Sequence, residues 1–272
     1  MKRARKKDNE MTRTIRILAI LLVPMVALIL GVSAPVVWAD DDDDDDDDGE
    51  LLFEEVEFNI EFNSTDNDLG VRGFVDGEPY KKLKIEDPNE KTIAKLKAKK
   101  GMKLQGFAEL FFESGEPTLE DVSVPEFLAR FPEGWYEFEG KTIEGEEIEG
   151  ETYFSYVIPC GPEIEADIDK DDSTVEISWR APMTVVDPVA TGYEPEEVCV
   201  DPEDLDQELE IVAYEVILES DNRELTFKLD ATVTKLTIPL SLLEPGTEYK
   251  YEVIAIEDSG NQTITEDDFK TP

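Results

Sequence analysis

The chain has 272 residues, room for two ordinary domains once an N-terminal targeting segment is set aside, and its 40% hydrophobic content excludes global disorder. Its 67 acidic residues against 26 basic ones give a formal net charge of −41, a surface that repels nucleic acid and anionic lipid and attracts cations and basic partners. There is no histidine; the usual general base, the Ser-His and Cys-His nucleophile pairs and most zinc, copper and iron sites go with it, leaving carboxylate pairs that nothing singles out among so many acids.

Lys2, Arg3, Arg5, Lys6, Lys7, Arg13 and Arg16 form a basic region, and no charged residue follows from Ile17 to Ala39. Val37-Trp38-Ala39 before Asp40 suits a signal peptidase, with Met11 as an alternative start. The other reading is an uncleaved anchor, because this stretch is long enough to span a bilayer. Pro24, Gly31 and Pro35 favour cleavage. Under either reading the basic end stays inside and everything beyond residue 39 lies outside the cytoplasm: secreted, extracellular or in the cell envelope, the periplasm included. Asp40 to Asp48 are nine consecutive aspartates. Such a block repels itself and is read as a disordered spacer over 40–49; a low-affinity calcium or mineral-surface tail is the alternative, since hard cations take carboxylate oxygens.

Residues 50–158 read as one β-rich unit of no recognised family. Val56 to Phe62 alternates apolar and polar, the mark of a half-buried strand. The polar turn Asn63 to Gly70 precedes a strand around Val71 to Val75, and Asp76-Gly77 signals another turn. Starting a calcium loop at Asn63 fails, because Asp68 stands where glycine is needed and Phe74 where glutamate is needed. Further strands are expected at Leu83–Ile85, Thr92–Ala98 and Leu104–Phe112, with Phe107, Leu110, Phe111 and Phe112 in the core. One short helix is predicted: Ser123 and Glu126 make a capping box, Pro125 fits the first turn, and Phe127, Leu128 and Phe131 dock it. A glycine-punctuated hairpin from Trp135 to Ile158 closes the unit. Trp135, Tyr136, Phe138 and Tyr153 are expected to pack in the core, with an aromatic platform for carbohydrate as the competing reading.

Nine lysines fall between Lys81 and Lys103. Lys95, Lys97 and Lys99 share one strand face while Ala94, Leu96 and Ala98 take the other. Lysine commonly guards a sheet edge; the functional reading is an anion-binding face for an acidic polysaccharide or for the aspartate run.

From Pro159 short strands alternate with turns, as in a two-sheet sandwich. Thr174 to Trp179 alternates strictly, Ile211 to Leu218 follows, and Tyr249, Tyr251, Val253 and Ala255 share one face. The run Leu243-Glu244-Pro245-Gly246-Thr247-Glu248-Tyr249 to Ala255 resembles the stretch entering strand F of fibronectin type III domains. Trp179 is similar to that family's strand B tryptophan, Tyr214 to its strand C tyrosine, Ser259-Gly260-Asn261 to its F–G turn and Thr271 to its closing threonine. The resemblance covers about 160–272. It implies an all-β, immunoglobulin-like sandwich over 159–272 with Tyr249 as a tyrosine corner and Trp179, Tyr214, Tyr249, Val253 and Ala255 as structural core.

Two cysteines in an exported chain suggest one disulfide. The resemblance puts the start of strand A and the B–C connection at one end, which brings Cys160 and Cys199 together. That connection, Met183 to Glu210, is read as an unusually long acidic loop. Asp167, Asp169 and Asp171 are weak candidate metal ligands, with an ordinary hairpin turn as the alternative. No cofactor is expected, and calcium is the one ion with candidate ligands. The expected function is a non-catalytic extracellular binding or structural module at a bacterial cell envelope, its partner a protein or a polysaccharide. Alternatives are a carbohydrate-active accessory or carboxylate-based glycoside hydrolase, a calcium-responsive acidic surface protein, and plain adaptation to high salt. Membrane contact is expected only through an uncleaved N-terminal segment.

Overall fold

A computed structural model describes residues 51–272, the side chains of residues 195 and 196 excepted. The export segment and the aspartate run fall within residues 1–50 and lie outside the described residues. The protein is all-β. The first half comprises β1 (Leu51–Leu52), β2 (Glu55–Asn63), β3 (Asp68–Glu86), β4 (Thr92–Lys97), α1 (Gly101–Gln105), β5 (Phe107–Glu113), α2 (Val124–Leu128), β6 (Gly134–Thr142) and β7 (Glu147–Phe154). The second comprises β8 (Glu163–Asp169), β9 (Thr174–Arg180), β10 (Val185–Val186), α3 (Pro195–Val198), β11 (Cys199–Val200), β12 (Ile211–Ser220), β13 (Arg223–Asp230), β14 (Lys235–Pro239), β15 (Glu248–Glu257) and β16 (Gln262–Lys270).

The alternation in β2 turns Phe58, Ile60 and Phe62 inward. Phe58 is a hub of the first core, its ring centroid 4.9 Å from Tyr136 and 5.1 Å from Phe154. Val124, Phe127 and Leu128 of α2 are buried there too, and the Glu126 carboxylate accepts from the backbone N–H of Ser123 at 3.3 Å. Phe107, Leu110 and Phe112 pack half-buried against this core, whereas Phe111 lies beneath the Arg72 guanidinium. Phe112 requires Gly73 opposite it, because a Cβ there would sit 2.3 Å from the ring.

Two local expectations are corrected. Asp76-Gly77 is not a turn: β3 continues through it, exchanging β2 as a neighbour for β6 further along. Gly77 serves close approach, since a Cβ would fall 3.1 Å from Phe53, and Pro79 occupies an irregularity in the β3–β5 pairing, where a missing N–H costs no ladder bond. Leu104 is not in a strand but in α1, 81% exposed. Gly106, with φ 77°, ends that turn and lets β5 begin at Phe107.

In the second half β14-β9-β8 forms a three-stranded sheet, and β13-β12-β15-β16 runs antiparallel at the end of a larger one. Val175, Ile177 and Trp179 from the first meet Tyr214, Val216, Tyr249, Tyr251, Val253 and Ala255 from the second in a separate core. The Trp179 and Tyr214 rings lie 5.3 Å apart. The Tyr249 hydroxyl accepts from the Glu244 backbone N–H at 3.0 Å, tying the crossover into β15.

The two halves share one sheet, in the order β1-β7-β6-β3-β2-β16-β15-β12-β13. The joint is a short parallel pairing of β16 with β2, Gln262 to Glu61 through Ile264 to Asn63. Side chains reinforce it: Ser64 Oγ donates to Ile264 O at 2.9 Å, and Glu266 N–H donates to Thr65 Oγ1 at 2.9 Å. The polar turn after β2 thus docks on the last strand. Asn261, 1% exposed, closes the seam by accepting from Ile60 N–H at 2.7 Å and donating to Ser155 O and Val157 O at 2.9 and 2.8 Å.

The connection from Met183 to Glu210, expected as a loop, contains β10, α3 and β11. Val186, Ala190 and Val198 enter the first core, not the second. Burial of those apolar residues is what orders the segment. A disulfide joins Cys160 to Cys199, with Cα atoms 6.2 Å apart.

Candidate binding face

β4, β3, β6 and β7 present one solvent face whose chemistry follows from register. Lys82 stands opposite Lys97 on one side and Lys141 on the other. Two residues along, Lys84 stands opposite Lys95 and Glu139. Opposed residues in a ladder share a face, and so do alternate residues on one strand. Five lysines therefore lie in two rows, about 10 Å wide across three strands and about 7 Å apart. The other face is core: Leu83, Ile85, Phe138 and Ile148 are buried. On β7, Glu147 continues the first row and Glu149 the second. A shallow depression of about 450 Å3 lies over this surface.

The charges are not evenly matched. Lys84 Nζ lies 2.9 Å from Glu86 and 2.6 Å from Glu139, and Lys141 Nζ lies 2.9 Å from Glu147. Hydrogen bonds to Glu139 and Glu86 raise the Lys84 pKa, and the bonds from Lys84 and then Thr92 hold Glu86 below its ordinary value. Glu147 is lowered by Lys141 in the same way. Lys82, Lys95 and Lys97 close no salt bridge among the described residues. Lys99 is exposed beyond the end of β4, and Lys81 donates instead to the Ile143 carbonyl at 2.9 Å.

The same face continues to the far end of the β6–β7 hairpin. Glu86, Glu137 and Glu139 carboxylate oxygens lie within 4.8 Å of one another. Beyond them Trp135 opposes Tyr153, edge to face at 5.4 Å, with the two residues 55% and 44% exposed. Tyr136 and Phe138, on the opposite side of β6, are fully buried. Period-two alternation divides the four aromatics between the readings.

Asp167 and Asp169 are exposed on β8, and Asp171 lies in the turn to β9. Asp169 Oδ1 accepts from the Asp171 and Asp172 N–H groups at 2.9 and 3.0 Å, an Asx turn. These three are not drawn together as Glu86, Glu137 and Glu139 are. Trp179, Tyr214, Tyr249, Val253 and Ala255 all sit inside the second core. Lys82, Lys84 and Lys141 escaped the sequence-level site because their alignment with Lys95 and Lys97 depends on inter-strand register.

No family model and no curated protein matches the chain. Among solved structures it is similar to a computer-redesigned β-sandwich protein, at 20% identity over 40% of this chain and 92% of that one, TM-score 0.28. It is also similar to a two-domain fibronectin type III segment of chicken tenascin, at 12% identity over 80% of this chain and 99% of that one, TM-score 0.28. Scores this low carry no argument about function, and the sandwich rests on the strand order itself.

Proposed function

We propose that this chain is a non-catalytic, extracellular binding module whose working surface is the β4-β3-β6 lysine grid, and that its ligand is an anionic polymer of the cell envelope. The observation that carries this reading is the in-register row Lys97–Lys82–Lys141 beside Lys95–Lys84, in a chain of net charge −41. Edge protection accounts for lysines on β4 alone. It does not account for Lys82, Lys84 and Lys141, which stand on strands with neighbours on both sides. Like charges directly opposite each other destabilise a ladder, so the Lys82–Lys97 pair costs stability that a bound polyanion would return. Compact, hydrated ammonium groups suit such capture better than bidentate recognition of one group. On this face Glu86 does not suit the acid of a hydrolase, because Lys84 holds it ionised and a proton-donating acid needs a raised pKa.

Titration of the full chain with polygalacturonate at about 0.15 M salt tests this. The triple variant Lys82→Gln, Lys95→Gln, Lys97→Gln is expected to lose about thirtyfold in affinity, roughly half a decade per lysine. The equally discharged Lys170→Gln, Lys228→Gln, Lys235→Gln variant should bind as the parent does. Equal losses in both triples would reduce the effect to net charge and end the proposal.

A further inference from the structure

We propose that Trp135 and Tyr153 form a sugar-stacking subsite at the opposite end of this face, so that the polymer is an acidic polysaccharide and not an acidic polypeptide. This deepens the lysine-grid reading and rests on it for the charge of the ligand. Three observations converge. Trp135 stands two residues beyond the last β3–β6 pair, Glu86 with Glu137, and its indole is left 55% exposed while Tyr136, Phe138 and Phe154 close by are fully buried. Trp135 and Tyr153 are held edge to face, 74° apart, a contact that sets the orientation of the two exposed rings. Both residues also lie on the grid face, since Trp135, Glu137, Glu139 and Lys141 are alternate residues of one strand.

A pyranose ring offers one face of C–H groups, polarised positive, to the negative face of an indole, and its hydroxyls donate to carboxylates. Glu137 and Glu151, opposite each other in the ladder, are exposed between the aromatic pair and the lysines. From Trp135 to Lys141 the strand runs six residues, about 20 Å at the rise of an extended chain. A chain of several sugar rings would span that distance, stacking at one end and meeting Lys141, Lys82 and Lys97 with its anionic substituents at the other. A polypeptide of acidic residues satisfies the lysines equally well and has no use for the far end.

The test compares polygalacturonate and dextran sulfate, as carboxylated and sulfated polysaccharides, with poly-L-glutamate on the full chain. Trp135→Ala should weaken binding of an acidic polysaccharide about tenfold, the effect of removing one central aromatic anchor, and leave poly-L-glutamate unchanged. Trp135→Tyr should restore most of the loss. In a Trp38→Phe background the emission comes from half-exposed Trp135 and from Trp179, 5% exposed, so bound polysaccharide should also protect tryptophan fluorescence from acrylamide while poly-L-glutamate does not. Equal losses for both polymer types, or none for either polysaccharide, overturn the subsite. If Trp135→Ala is silent while the lysine triple abolishes binding, the grid stands and the subsite falls. If Trp135-dependent polysaccharide binding survives the lysine triple, the grid falls and its charge argument with it.

Discussion

Replacing Asn261 with alanine tests how the two halves are joined. The carboxamide makes three hydrogen bonds to backbone atoms of the first half, at 2.7, 2.8 and 2.9 Å, from a side chain 1% exposed. Each bond contributes about 0.5–1.5 kcal/mol net, and the Ile60 N–H left without a partner adds a desolvation cost of about 1–3 kcal/mol. The variant is expected to lose about 3–7 kcal/mol, a large fraction of the roughly 5–15 kcal/mol typical of a folded protein. Urea unfolding followed by tryptophan fluorescence and far-UV circular dichroism is the assay. The parent should unfold in one transition with the two probes superimposed; Asn261→Ala should lower the midpoint and pull the two curves apart. Asn261→Asp keeps the acceptor for Ile60 but sets a carboxylate oxygen against two carbonyls. Its carboxyl is therefore pushed up in the folded state, and its damage should be greatest at neutral pH and shrink on acidification. A loss below about 1 kcal/mol for Asn261→Ala, with the probes still coincident, would show that water replaces these bonds and that the seam holds without them.

Two further outcomes follow from groups near the same region. Burial, and then the neighbouring carboxylates, raise Glu116 to about 7 and Asp68 to about 6. Between the ordinary carboxylate range and those values the folded chain binds more protons than the unfolded one, so stability is present at low pH and is lost as pH rises through that window. Both side chains keep part of their surface in water, which damps the size of the effect and not its sign. Calorimetry should show the melting temperature falling from pH 5 to pH 8, with Glu116→Gln flattening the slope and melting higher at pH 8; an unchanged slope would refute the assignment. Reducing the Cys160–Cys199 bond, which spans 39 residues of sequence, should cost about 4 kcal/mol in the chain-entropy account. Hydrogen exchange should locate the loss in residues 184–200, and full protection there after reduction would show that Val186 and Val198 hold the segment alone.

Much of the fold is legible from short-range pattern. Val56–Phe62, Thr174–Trp179 and Tyr249–Ala255 become strands because alternation at period two is a property of neighbouring residues. The Ser123–Glu126 pair marks a helix start for the same local reason. Asp76-Gly77 misleads because turn chemistry is local while the need for a glycine against Phe53 is not. The segment from 183 to 210 reads as a loop because the apolar surface that orders it belongs to the core of the first half, built from residues between Phe53 and Cys160.

By itself the sequence determined the all-β class, the absence of imidazole chemistry, the strand alternation and the availability of one cysteine pair, since composition and neighbour order settle each of these. Tertiary structure alone decided that β2 would pair with β16 some 200 residues away, that the 183–210 segment would lie on the first core, and that five lysines and an indole would share one face. Those depend on strand register, and register is chosen by which faces can be buried together, a comparison that no single segment contains.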